Sequence, residues 1–236
     1  KLEKENLKLC SGWYGANLLK NSVKEELSVM KEQLDLFKEC DAPCIVFAEV
    51  SGSIQGEAKT PLSKRPILNK EEWKTFYYKI NEISKYMEDS DMPLAYHHHM
   101  GTVVQSQEDT ERLIDNTSDT VRLLIDTGHM MFAGGDFVKI AKDYSSRLHH
   151  IHCKDIRKDV LENSLKNDLS FIDAFFAGAF TVPGDGCINY ETFLKLLKDF
   201  NYNGWLVVEA EQDPRKANPL EYGKIGFNHL KKIALN

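Results

Sequence analysis

Two histidines in the run Ala95-Tyr96-His97-His98-His99-Met100-Gly101-Thr102 are spaced to work together. In an extended strand alternate side chains share a face, so His97 and His99 point one way and His98 the other. The run follows an apolar lead at Met92 and Leu94 and precedes a helical segment from about residue 108. A strand entering a functional loop reads this way. Paired imidazoles at a strand end suit metal ligation or proton transfer, because neutral imidazole is a common metal ligand and changes charge near neutral pH.

The elements that must position this run alternate along the chain. Strands are expected over 7–14, 44–49, the histidine run, 121–126, 148–155 and 204–211. Helical spacing of apolar residues falls over 25–40, 71–87, 108–116, 136–144, parts of 159–176, 190–200 and 219–235, with Asn69 as the cap of the second. A long loop over 50–69 holds Gly52, Gly56, Pro61 and Pro66, and 181–186 reads as a turn. Strand–helix alternation predicts an α/β fold with a parallel sheet. The expected strands end in Glu49, His97 and His99, Asp126, His152 and Lys154, and Glu209 and Glu211. Polar groups at the carboxyl ends of many parallel strands belong to a (β/α) barrel, whereas an open sheet uses one switch point. A single barrel domain over 1–236 is therefore expected.

These strand ends define the chemistry. His97, Asp126, His152 and Glu209 together make a mixed nitrogen and oxygen donor set, which suits Mn²⁺, Co²⁺, Zn²⁺ or Fe²⁺. Mg²⁺ and Ca²⁺ prefer oxygen alone. Asp126 reads equally as a turn or cap residue. His99, His129, Glu49 and Lys154 are candidate acids, bases or proton carriers, and Lys154 can also hold substrate oxygens. Arg157 and Trp13 are candidates for substrate contact, with Tyr14 as a further wall residue. Glu211 reads either as an acid beside the site, touching substrate, or as a surface charge. His150 shares the face of His152 but lies deeper and reads as structural, while His149 faces the helices. A divalent ion here could polarise a carbonyl and a neighbouring hydroxyl and stabilise the enediolate formed when an α-proton leaves. Isomerisation, epimerisation and dehydration all begin with that step.

Composition narrows the partners. The net charge of −6 and the lack of a basic stripe argue against a nucleic-acid groove. No apolar run is long enough to cross a bilayer, and no secretory leader is visible. Five scattered cysteines, Cys10, Cys40, Cys44, Cys153 and Cys187, lack zinc-site spacing and do not form a disulfide framework. Cys40 and Cys44 are expected to pack as small hydrophobes, and a reducing cytoplasm is the expected compartment. A small molecule is the expected partner, with a homo-oligomer left open.

Five stretches carry a resemblance. They are Tyr96 to Thr102, Asp126-Thr127-Gly128-His129, His152-Cys153-Lys154-Asp155-Ile156-Arg157, Phe180 to Gly186, and Trp205 to Pro214. Together they resemble the inosose dehydratases of bacterial inositol catabolism, within the xylose-isomerase-like barrel superfamily. The Asp-Thr-Gly-His and His-x-Lys-Asp pieces are general to the superfamily, and the triple-His and Glu-Ala-Glu-Gln-Asp-Pro pieces are more specific. The resemblance implies a (β/α)8 barrel of the xylose-isomerase-like type. It also implies a divalent ion, Mn²⁺ or Co²⁺ first, and loss of water from 2-keto-myo-inositol to a trihydroxycyclohexane-1,2-dione. Related sugar epimerases hold their ion with Glu, Asp, His and Glu. The last three map onto Asp126, His152 and Glu209, leaving His97, His99 or a water for the first position. Against this pattern the chain begins at the third strand, so the first two strand–helix units are expected to be lacking here and the barrel to be incomplete at its N-terminal side. The alternative activity is a metal-dependent sugar or keto-sugar isomerase or epimerase. An endonuclease-IV-like phosphodiesterase would need more ligands and a positive groove. A non-catalytic barrel would not need four convergent polar groups.

Overall fold

The computed structural model describes residues 1–235. Its centre is a sheet of six strands: β1 (Trp13–Ala16), β2 (Ile45–Glu49), β3 (Leu94–His97), β4 (Val121–Asp126), β5 (Leu148–Cys153) and a last strand at Trp205–Val208. Every neighbouring pair is parallel. The helices that connect them are α1 (Val23–Glu39), α2 (Lys70–Glu88), α3 (Gln107–Asp115), α4 (Thr127–Phe132) and α5 (Phe137–Asp143). After β5 the chain forms a short antiparallel pair, β6 (Asp155–Ile156) and β7 (Phe180–Thr181), around α6 (Lys158–Lys166) and α7 (Phe171–Ala177). Then follow α8 (Tyr190–Asp199), the last sheet strand as β8, and α9 (Pro219–Ala234). The sheet order is β1-β2-β3-β4-β5-β8, so β1 and β8 are its edges. No described helix is long and apolar enough to cross a membrane.

Local chemistry sets these boundaries. Ser22, Asn69 and Ser106 cap α1, α2 and α3 in reciprocal pairs with Glu25, Glu72 and Asp109, satisfying amides that the first helical turn leaves unpaired. β2 is buried along its whole length, as a central parallel strand covered on both faces must be. Cys44, Val46, Ala95 and Leu124 form a small apolar layer of their own within the sheet structure. The strand expected over 7–14 starts later, at Trp13. Ahead of it the Ser11 hydroxyl donates to Cys44 O at 3.0 Å and shares the Val46 N–H with Gly12 O, so a side chain stands in for part of the ladder. The 50–69 loop is pinned over the histidine loop, with Ile54 N donating to Gly101 O at 3.0 Å and Arg65 paired to Asp109 at 2.7 Å. Between β4 and β5 the register shifts at Leu123 and Leu124, so that Leu124 pairs with His150 and Asp126 with His152. That irregularity sets two of the candidate ligands, Asp126 and His152, side by side.

Candidate metal centre and its neighbouring histidine cluster

Four strand ends build the site. His97 is the last residue of β3, and its Nδ1–H donates to the carbonyl of His98 at 2.5 Å. The bond fixes the tautomer and leaves Nε2 bare, 3.6 Å from Asp126 Oδ2. Asp126 ends β4 and divides its carboxylate. Oδ1 caps α4 by accepting from His129 N at 2.8 Å, while Oδ2 faces His152 Nδ1 at 3.6 Å and the Lys154 ammonium at 3.3 Å. His98 steadies the same turn, its Nε2 accepting from Asp126 N at 3.3 Å. Glu209 follows β8, its amide bonded to Cys153 O, and its Oε2 lies 3.1 Å from His152 Nδ1. The ligand atoms of His97, Asp126, His152 and Glu209 all fall within 4.8 Å of one another.

Asp126 Oδ2, His152 Nδ1 and Glu209 Oε2 are buried and have no properly directed hydrogen-bond partner. Buried polar atoms usually have directed hydrogen-bond partners, so three that lack them and converge, with only the ionic contacts of Lys154 beside the carboxylates, leave room in their bonding for a further occupant. Two imidazole nitrogens and two carboxylate oxygens fit a borderline divalent ion. Burial and the neighbouring imidazoles hold His97 neutral, well below the usual histidine range. Burial presses His152 the same way, but the Glu209 and Asp126 carboxylates outweigh it and raise the group to about 9. Asp126 and Glu209 are held low despite burial, chiefly by the Lys154 ammonium.

A second cluster lies against the first. His99, His129 and Glu211 also bring ligand-type atoms within 4.8 Å of one another. His99 repeats the device of His97: its Nδ1–H donates to Met100 O at 2.8 Å, leaving Nε2 3.9 Å from Glu211 Oε1. The His99 and His129 rings are 3.9 Å apart, and Phe171 and Phe180 wall them with an apolar surface. Burial holds His99 neutral, at about 3. Glu211 adopts a left-handed backbone, φ 43°, which a long side chain rarely takes unless its surroundings enforce it.

Lys154 joins the two clusters. It is 1% exposed. Its Nζ lies 2.5 Å from Glu211 Oε2, 2.9 Å from His129 Nε2, 3.1 Å from Glu209 Oε2 and 3.3 Å from Asp126 Oδ2. Burial opposes its charge, yet the three carboxylates hold the ammonium protonated. Its backbone is clamped from the first residue of α4: the Thr127 hydroxyl donates to Lys154 O at 2.8 Å and accepts from Lys154 N at 3.2 Å, and Tyr190 Oη meets it at 2.8 Å.

The structure thus gathers His97, Asp126, His152 and Glu209 in one cluster and His99, His129, Lys154 and Glu211 in the next. Trp13 stands at their rim with its ring edge-on to His97 and His99 at 5.4 and 5.5 Å, while Tyr14 turns into the core and donates to Glu26 at 2.6 Å. Glu49 is not brought in. It is fully buried, Oε2 accepting from Leu18 N at 2.6 Å and Oε1 from Ser51 N at 2.7 Å, which ties the ends of β1 and β2. Arg157 is also spent elsewhere, on Gly178 O, Phe180 O, Thr181 Oγ1 and Asp185 Oδ2. Thr127, Tyr190, Phe171 and Phe180 were not foreseen. Thr127 and Phe180 do lie in stretches that carry the resemblance, Thr127 as the residue after a strand-end acid.

Residues 1–233 match the family model for the xylose isomerase-like TIM barrel. The rhizopine catabolism protein MocC of Rhizobium meliloti is 41% identical over 233 residues, covering 99% of this chain and 72% of its own. An inosose dehydratase of Clostridium perfringens is 42% identical, covering 98% of this chain and 78% of its own. Among solved structures, the IOLI protein with a bound zinc atom superposes with a TM-score of 0.64 at 17% identity, over 97% of this chain and 75% of that one. From the extent of the family match and the identity to these relatives, the chain belongs to the xylose isomerase-like TIM barrel family.

Proposed function

We propose that this chain is a metal-dependent hydro-lyase that removes water from a cyclic polyol ketone of the 2-keto-myo-inositol class, giving a trihydroxycyclohexane-1,2-dione. The observation that carries the reading is the convergence of four ligand atoms within 4.8 Å, next to a second cluster able to move protons. The inosose dehydratases that align over nearly the whole chain supply the substrate class. His97, Asp126, His152 and Glu209 would hold the ion, with Mn²⁺ or Co²⁺ the proposed occupant. When bound, the ion supplies positive charge at the ketone oxygen, where negative charge develops as the α-proton leaves.

The side chains handle only protons and orientation. His99 is neutral with Nε2 bare, so it can accept the α-proton. A β-hydroxyl is a poor leaving group and needs a proton as its C–O bond breaks. His129 Nε2 and the Lys154 ammonium share one across 2.9 Å and are the proposed source. Phe171 and Phe180 keep water from that pair, and Trp13 covers the open side.

The test is incubation of the Mn²⁺-loaded chain with 2-keto-myo-inositol. Loss of one water is the expected result, read by mass spectrometry. An isomerised ketone with its water retained would overturn this reading in favour of an epimerase. Glu209→Gln should lower metal occupancy and turnover together, and His99→Ala should cost about 10²–10⁴-fold in turnover with the ion retained.

A further inference from the structure

The two clusters are built to one plan. The end of β3 gives His97 to the first and His99 to the second. The end of β4 gives Asp126 and His129, and the segment after β8 gives Glu209 and Glu211. Both β3 histidines are oriented alike, each Nδ1–H donating to the carbonyl of the next residue. Only the end of β5 breaks the pattern. It supplies the ligand His152 to the first cluster, but toward the second it extends Lys154, whose Nζ lies 2.5 Å from Glu211 and 2.9 Å from His129. A cation therefore stands among the ligand-type atoms.

We propose that His99, His129 and Glu211 form a second divalent-cation site that Lys154 keeps closed, its ammonium standing in for the ion. The charges agree. With neutral imidazoles, Asp126, Glu209 and Glu211 carry three negative charges and Lys154 one positive, so one divalent ion in the first cluster brings the whole to neutrality. A second ion beside the ammonium would place uncompensated positive charge in a largely buried site, which is strongly unfavourable. Removing the lysine charge eases this: two ions then leave one uncompensated positive charge in place of two, Glu211 is left without its ammonium partner, and two imidazole nitrogens with one carboxylate oxygen form a common divalent ligand set. Lys154 thereby limits the centre to one ion and keeps the second cluster free for proton transfer. The inference rests on the metal reading of the first cluster only for its charge count.

Metal content after equilibrium dialysis against Co²⁺ tests it, because the absorption of Co²⁺ also reports its coordination. Lys154→Met should bind one more equivalent per chain than the unaltered protein, with a new absorption band. Lys154→Met combined with Glu211→Gln should lose that equivalent. Lys154→Gln, which keeps a polar group, should behave as Lys154→Met. If either single variant folds only with metal, the count is taken after refolding in Co²⁺. An unchanged count in both single variants overturns the proposal, as does a second equivalent in the unaltered chain. If the unaltered chain binds none, the proposed metal function fails, and a gain of one on losing Lys154 still supports the closed second site.

Discussion

Gly128 lies directly beneath the aliphatic stem of Lys154. A Cβ at position 128 would stand 2.7 Å from Lys154 Cγ and 3.0 Å from both Cδ and the carbonyl oxygen. The stem could swing aside, but the carbonyl belongs to backbone that Thr127 clamps, so the clash is not relieved by a rotamer change alone. Position 128 needs no left-handed conformation and lies in the first turn of α4, where alanine would otherwise favour the helix. Its requirement for glycine is therefore one of space.

Gly128→Ala is expected to cost about 1–3 kcal/mol of stability through overpacking. It should also move the ammonium off Glu211 and His129. Thermal melts and turnover should fall together, whereas Gly134→Ala, where an added Cβ meets nothing within 4 Å but the backbone is left-handed at φ 77°, should cost stability with little change in turnover. Equal loss of turnover in both variants would show that the effect at 128 is not specific to Lys154.

The behaviour of His152 sets a pH dependence. Its value of about 9 in the folded chain exceeds the ordinary histidine value near 6.5, because Glu209 and Asp126 overcome burial. In the metal-free chain its contribution to stability is fully present below about 6.5 and is lost as pH rises through 9. A metal must displace this proton, while the carboxylates, held low, are already ionised. Apparent metal affinity should therefore rise about tenfold per pH unit from 6.5 toward 9 and then flatten. Titration calorimetry in buffers of different ionisation enthalpy should find about one proton released per ion at pH 7. No proton release and a flat affinity would remove His152 from the ligand set.

Much of the site was legible because buried parallel strands stay apolar until they reach the active face, where polar residues stand out. His97, Asp126, His152 and Glu209 were found on that basis, and the structure converges them. The same signal misled at Glu49, because a strand-end acid that ties two loops through Leu18 N and Ser51 N reads like one that faces the site. α4 carries no sequence signal, since Thr127–Phe132 is too short to show helical periodicity and its cap, Asp126, is itself a site candidate. Glu211 stayed ambiguous because it follows β8 on left-handed backbone, where strand alternation no longer predicts direction. The β6–β7 pair has two residues per strand, too few to carry a pattern.

The contact of Thr127 with Tyr190 spans 63 positions and could not be read from spacing, yet it sets the most testable piece of support for the centre. The hydroxyl of Thr127 is fully used. It donates to Lys154 O, accepts from Lys154 N, and takes the Tyr190 Oη–H at 2.8 Å. Thr127→Val keeps the shape but leaves Tyr190 Oη and the Lys154 carbonyl buried with one partner fewer, which should cost about 1–3 kcal/mol. Tyr190→Phe removes both the donor and its need for a partner, so it should cost less, about 0.5–1.5 kcal/mol. The double variant should then be less destabilised than the sum of the two, because the orphaned phenol of the first variant is gone. Metal affinity adds a readout that simple destabilisation would not move. Thr127 sits between Asp126 and the Lys154 backbone, so Thr127→Val should weaken Co²⁺ binding in the still-folded chain, and Thr127→Ser should restore it. Additive stability losses, or unchanged Co²⁺ affinity in Thr127→Val, would show that the clamp holds the fold without positioning the ligands.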